Sequence, residues 1–74
     1  MTHTVNAQDI IKATDALYRV ARTADKHGSA WLFDKLIRYF TTEPAAMSVN
    51  IPIIYNTGKA GVAEIDRRGT LTTR

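Results

Sequence analysis

The sequence predicts an α+β fold: an antiparallel helical hairpin, a short third helix and a small β-hairpin. Three observations carry this reading. Apolar residues recur at helical spacing over 6–26 and again over 29–42, Gly28-Ser29 divides the two stretches, and β-branched residues alternate around a glycine turn between Ile51 and Asp66.

The first helix has a marked beginning. Asn6 is a good N-cap, and Asp9 falls in the first turn, where a negative charge favours the helix dipole. Val5 and Ile10 have the spacing of a hydrophobic staple. Ile10, Ala13, Leu17, Val20, Ala21 and Ala24 then form one stripe, with Lys12, Asp15, Arg19, Arg22 and Lys26 opposite. Ile11 and Tyr18 lie on the shoulder, where they are expected to help cover the C-terminal half. Gly28 supplies a stop and Ser29 the next N-cap. So tight a connection folds the two helices against each other, and the inward alanines permit close approach.

In the second helix Leu32, Phe33, Leu36, Ile37 and Phe40 gather on one face. Advancing about 100° per residue places Trp31 elsewhere, among Asp34, Lys35, Arg38 and Thr42. After Thr42, Glu43-Pro44 opens a segment through Val49 that can make one or two helical turns. Ile51 to Tyr55 reads as a strand, which Pro52 restricts to an edge or a strand start. Asn56 to Gly61 is a turn, Val62 to Asp66 the returning strand, and Thr70-Leu71-Thr72 a short third strand or a trailing end.

Composition removes several classes of function. The chain of 74 residues is read as a single small domain, 1–74, with short tails at 1–5 and 68–74. It holds no cysteine, so disulfides and thiolate metal sites are impossible. The start MTHTVNAQD is not a signal peptide, and no apolar run approaches the ~20 residues of a membrane span. A cytoplasmic location and no membrane partner follow as expectations. The net charge is +3, yet segments 1–26, 27–42 and 43–74 each carry one excess cation, so no basic block exists.

Specific chemistry finds little footing. His3 and His27 lack ligand spacing, and His27 is expected to cap the end of the first helix. Thr57-Gly58-Lys59-Ala60-Gly61 lacks the GxxxxGK[ST] spacing and the helix that phosphate loops require; its glycines suit a hairpin turn. Glu64 and Asp66 share a strand face but are followed by Arg67 and Arg68, as on a solvated edge. No nucleophile motif occurs, and so small a chain leaves little room for a ligand pocket. The expectation is no enzyme, no catalytic residue, no cofactor, no metal and no small-molecule substrate.

From Ser29 to Asp66 the order helix, short helix, hairpin resembles a winged helix-turn-helix in architecture. That resemblance implies a recognition helix at 45–50, a wing tip at Lys59, and phosphate contacts from Lys59, Arg67 and Arg68. The chemistry is poor, because Ala45, Ala46, Met47, Ser48 and Val49 offer few groups that read base edges. Trp31, Lys35 and Arg38 make the better binding face, since tryptophan and arginine are enriched at interface hot spots. The leading expectation is a small non-enzymatic regulator that docks on a larger protein through these three residues. Transcription machinery is the favoured partner, by analogy with phage-type modulators of host RNA polymerase. A nucleic-acid-binding domain of winged-helix type is the alternative.

Overall fold

The computed structural model describes residues 5–74. Within them the elements run α1 (Ala7–Val20), β1 (Ala21–Thr23), α2 (Ser29–Thr42), β2 (Ser48–Tyr55), β3 (Ala60–Asp66) and β4 (Leu71–Thr73). The strands form one antiparallel sheet in the order β1-β2-β3-β4. The architecture is α+β, as the sequence predicts, with the two helices packed together over one sheet face. His3 and the first four residues of the expected N-terminal tail lie outside the described residues. No helix among the described residues is long and apolar enough to cross a membrane.

The core follows from two periodicities meeting. Ile10, Ala13 and Leu17 of α1 and Leu32, Leu36 and Phe40 of α2 are buried at helical spacing. Ile51 and Ile53 of β2 and Ala63 and Ile65 of β3 are buried at strand spacing, and all ten join one cluster. Val5 packs against it from beyond the Asn6 cap, whose side chain accepts from the Gln8 N–H at 2.9 Å. Tyr18 is half-buried as expected, whereas Ile11 is exposed.

The first correction concerns α1, which ends at Val20 rather than near Lys26. Ala21, Arg22 and Thr23 leave the helix to pair with Tyr55, Ile54 and Ile53 of β2. Ala21 fits both patterns: it lies on the helical stripe, and it also points inward with Thr23 when the segment is read at period two. Strand pairing decides between them, because tertiary context overrides so weak a local preference. Asn56 completes the exchange, donating from its backbone to the Val20 carbonyl at 2.8 Å and from its side chain to the Arg19 carbonyl at 3.0 Å. In consequence His27 does not cap α1. Gly28, not Ser29, is the N-cap of α2, with no side-chain hydrogen bond there.

The expected third helix is absent. Residues 44–45 form a turn, and β2 begins at Ser48, where its register with β3 starts. Seven residues of β2 in register with β3 satisfy more backbone than one helical turn between two prolines would offer. The likeness to a winged helix-turn-helix loses its recognition helix with this segment. Residues 68–74 likewise are not merely a tail, since β4 pairs Leu71, Thr72 and Thr73 with Ile65, Glu64 and Ala63. Gly69 makes the β3–β4 turn possible. Its φ is 85°, and a Cβ there would stand 2.6 Å from the Asp9 carbonyl oxygen on α1.

Pro52 needs a different account from the one its sequence suggests, since β2 is flanked on both sides. Its missing N–H falls on the β1 side, where β1 is already ending. There the Pro52 carbonyl accepts the Ala24 N–H at 2.9 Å, and among the described residues the β1–β2 pairing goes no further. The proline therefore sits at the corner where a covered edge becomes an uncovered one.

Arg67 is the second major correction. Expected as a solvent-exposed phosphate contact, it is buried, at 7% exposure. The period of β3 continues through Ala63 and Ile65 into Arg67, carrying the guanidinium inward beneath the end of α2. Nη1 donates to the Phe40 carbonyl at 2.9 Å, Nη2 to Glu43 at 2.8 Å and Nε to Ala46 at 3.0 Å. The guanidinium carbon also lies 5.1 Å from the Phe40 ring centroid. A helix leaves its last carbonyls without intrahelical partners, and here a buried fork of donors supplies them. Arg67→Met should lower the unfolding free energy by about 3 kcal/mol, because charge-assisted bonds vanish and buried carbonyls are left unpaired. Arg68→Met, on an exposed side chain, should shift it by less than about 0.5 kcal/mol; chemical denaturation of the two variants checks the contrast.

Candidate functional site

The candidate site is a groove between α2 and the edge of β2. Trp31, Lys35 and Tyr39 succeed one another at four-residue steps, and so form a single ridge along α2. Opposite them run Pro52, Asn50 and Ser48 of β2. Two neighbouring cavities occupy the groove, of about 140 Å³ beside Trp31 and about 330 Å³ beside Tyr39, and Lys35 and Asn50 line both.

Trp31 is neither core nor loose. Its side of the helix faces the β1–α2 connection, and the residue is 38% exposed. The ring stacks on His27, with centroids 3.8 Å apart and planes 24° from parallel. Lys35 Nζ stands 4.9 Å from the indole centroid on the next turn, a cation–π arrangement. His27 is itself held. Its N–H donates to Thr23 Oγ1 at 2.9 Å, while its carbonyl accepts from Tyr18 Oη at 2.7 Å and Thr23 Oγ1 at 3.0 Å. The buried Thr23 hydroxyl thus anchors the loop on which the indole rests.

Of the residues singled out from sequence, Trp31 and Lys35 come together in this groove. Arg38 belongs to the same helix but lies on its solvent side, where Nε pairs with Asp34 at 3.0 Å. Tyr39, at 40% exposure, takes the third place along the groove. The helical period contained that signal, since Trp31, Lys35 and Tyr39 are successive i,i+4 neighbours. His27, Asn50 and Ser48 gave no such sign, because strand pairing and loop path alone bring them here.

The basic trio is dispersed. Lys59 lies in the β2–β3 turn and Arg68 just past the far end of β3, with the seven residues of that strand between them, while Arg67 is internal. The two carboxylates that share a face of β3, Glu64 and Asp66, are engaged structurally. Glu64 pairs with Arg74 at 3.3 Å, and Asp66 Oδ1 accepts the N–H groups of Arg68 and Thr70, each at 2.9 Å. A wider cleft of about 720 Å³ opens beside them, between Asn6, Asp9, Pro44 and Met47. It is larger than the groove but has no aromatic among its lining residues, and it reaches the β2 edge only at Ser48.

No protein-family model matches this chain, and no curated protein or solved structure matches it. The groove must therefore be read from its own chemistry.

A large ring held in place by stacking, an amphipathic tyrosine and a cation between them offer contact area at low ordering cost. Because Trp31 borders the groove instead of filling the core, Trp31→Ala should cost only about 1–2 kcal/mol of stability, against about 3–5 kcal/mol for Phe40→Ala. Thermal unfolding of both variants measures the difference.

Proposed function

We propose that this protein is a non-enzymatic binding module that docks on a larger protein through the α2 face around Trp31 and Lys35. The observation that supports this most is the state of Trp31: the chain's only tryptophan stands at the surface, clamped between His27 and Lys35. Rings fixed before binding lose little freedom on contact, which is why such residues anchor interfaces. Arg38 adds a charge at the rim, already oriented by Asp34.

Transcription machinery is the partner class to test first, on the strength of the basic composition. The nucleic-acid alternative has fewer supports than its sequence promised, with residues 45–50 not helical and Arg67 internal.

Binding of the intact chain to purified RNA polymerase and to cell-extract proteins should weaken by about tenfold or more in a Trp31→Ala/Arg38→Ala variant, the size expected of a lost hot spot. Arg68→Ala should bind as the natural chain does. Equal recovery of the same proteins by all three would remove the α2 face from consideration.

A further inference from the structure

We propose that the uncovered edge of β2 at Ser48–Asn50 receives an extended segment of a partner protein as an added strand, with a carboxylate of that segment against Lys35. The inference rests on the docking reading above and names the form of the partner.

Backbone parity establishes the edge. In β2 the odd residues bond toward β3: Tyr55 N–H donates to the Lys59 carbonyl, and at the other end the Met47 carbonyl accepts from Arg67 N–H. Even residues face the β1 side, where the Ala24 N–H meets the Pro52 carbonyl and the Asn56 N–H meets Val20. The β2–β3 register runs from Ser48↔Asp66 to Ile54↔Ala60 without interruption, so this parity holds throughout. Ser48 and Asn50 consequently turn their N–H and C=O groups away from β3. β1 would cover them if it continued, but its chain turns aside at Lys26, which has φ 66° and donates to the Thr23 carbonyl. Four backbone groups are left in the pattern that a strand satisfies.

The groove wall fits the same occupant. Along α2 the steps from Trp31 to Lys35 to Tyr39 are about 6 Å each. Alternate side chains of a strand are spaced about 6.6–6.8 Å apart. Two side chains at positions i and i+2 of an added strand therefore fall on either side of Lys35, one toward each cavity. Charge selects among extended segments. Among the described residues Lys35 is the sole cation lining either cavity, and no carboxylate forms an ion pair with it. Asp25, at the Trp31 end, is within 3.5 Å of His27. A segment carrying Asp or Glu complements this edge. A second copy of the chain, pairing edge to edge, would bring another Lys35 to the seam.

The uncovered window is short. Pro52 closes one end, with no N–H and its carbonyl already bonded. At the other end Arg67 holds both the Ala46 and the Met47 carbonyls.

The test selects a phage-displayed library of random seven-residue peptides on the full chain. A synthetic copy of the tightest sequence is then titrated into the isotope-labelled protein. Recovered sequences should carry Asp or Glu among β-branched residues, and binding should slow hydrogen exchange at the Ser48 and Asn50 amides. N-methylating the peptide on one alternate set of nitrogens should weaken binding about tenfold, as expected for a lost hydrogen bond, and methylating the other set should not. Asn50→Pro removes an edge N–H in the orientation Pro52 already adopts, and should give a similar loss with an unchanged fold by circular dichroism. The proposal is overturned by no recovered sequence, by recovered sequences without acids, or by indifference to both methylation sets. Protection of Ser48 and Asn50 that grows with protein concentration alone would overturn it too, in favour of self-pairing. If Trp31→Ala abolishes binding and Asn50→Pro leaves it intact, the α2 face stands and strand addition falls; if neither matters, both fall.

Discussion

Arg67 sets the position of α2, and most of what is particular to this protein depends on that position. A guanidinium buried at the end of β3 donates to carbonyls of Phe40, Glu43 and Ala46, so one side chain joins the sheet, the last turn of the helix and the turn that follows. Apolar packing alone lets a helix slide or rotate over a sheet at modest cost, since the hydrophobic effect is not directional. Three hydrogen bonds from a rigid planar group are directional, and they fix the helix in one register. The Phe40 ring beneath the guanidinium couples this fixation to the core.

The opposite end of α2 is held by a comparable device. Thr23, buried at the end of β1, exchanges hydrogen bonds with the backbone of His27 while Tyr18 adds a third. The helix is thus tied to the sheet at both termini, by a charged donor at one and by a hydroxyl relay at the other. Between these ties Trp31, Lys35 and Tyr39 are carried along the edge of β2 at a set separation. Of the residues that make these ties, only Thr23 also lines a cavity, the one beside Trp31, so the groove is ordered mainly from its two ends.

Much of this was legible in the residues, and what was not fails for physical reasons. The Asn6 cap, the apolar face of α2 and the glycine turn before β3 depend on local chemistry, and all are found. β1 was hidden because Ala21 satisfies a helical stripe and a strand alternation equally well, and only pairing with Ile53–Tyr55 separates them. Residues 45–49 have helix-compatible composition but lie between prolines, and the longer β2 ladder claims their C-terminal half. Arg67 was misread because arginine is rarely internal. Its parity with Ala63 and Ile65 was the available sign. Trp31 lies off the apolar face of α2, as its spacing predicts, beside Lys35 but not Arg38, and its partner His27 arrives through a loop whose path the sequence does not encode locally.

Pro52 has a consequence for the behaviour of the molecule in a crowded solution. An uncovered strand edge is a template on which other chains can extend a sheet, and open-ended extension leads to fibrils. Here the templating stretch is bounded by an imide that cannot donate and by carbonyls occupied from within. The two bonding positions between these limits suffice to dock a short segment but give poor purchase to a propagating stack. A residue that first reads as an obstacle to strand formation thus acts as a gatekeeper, shortening the stretch along which another chain could extend the sheet.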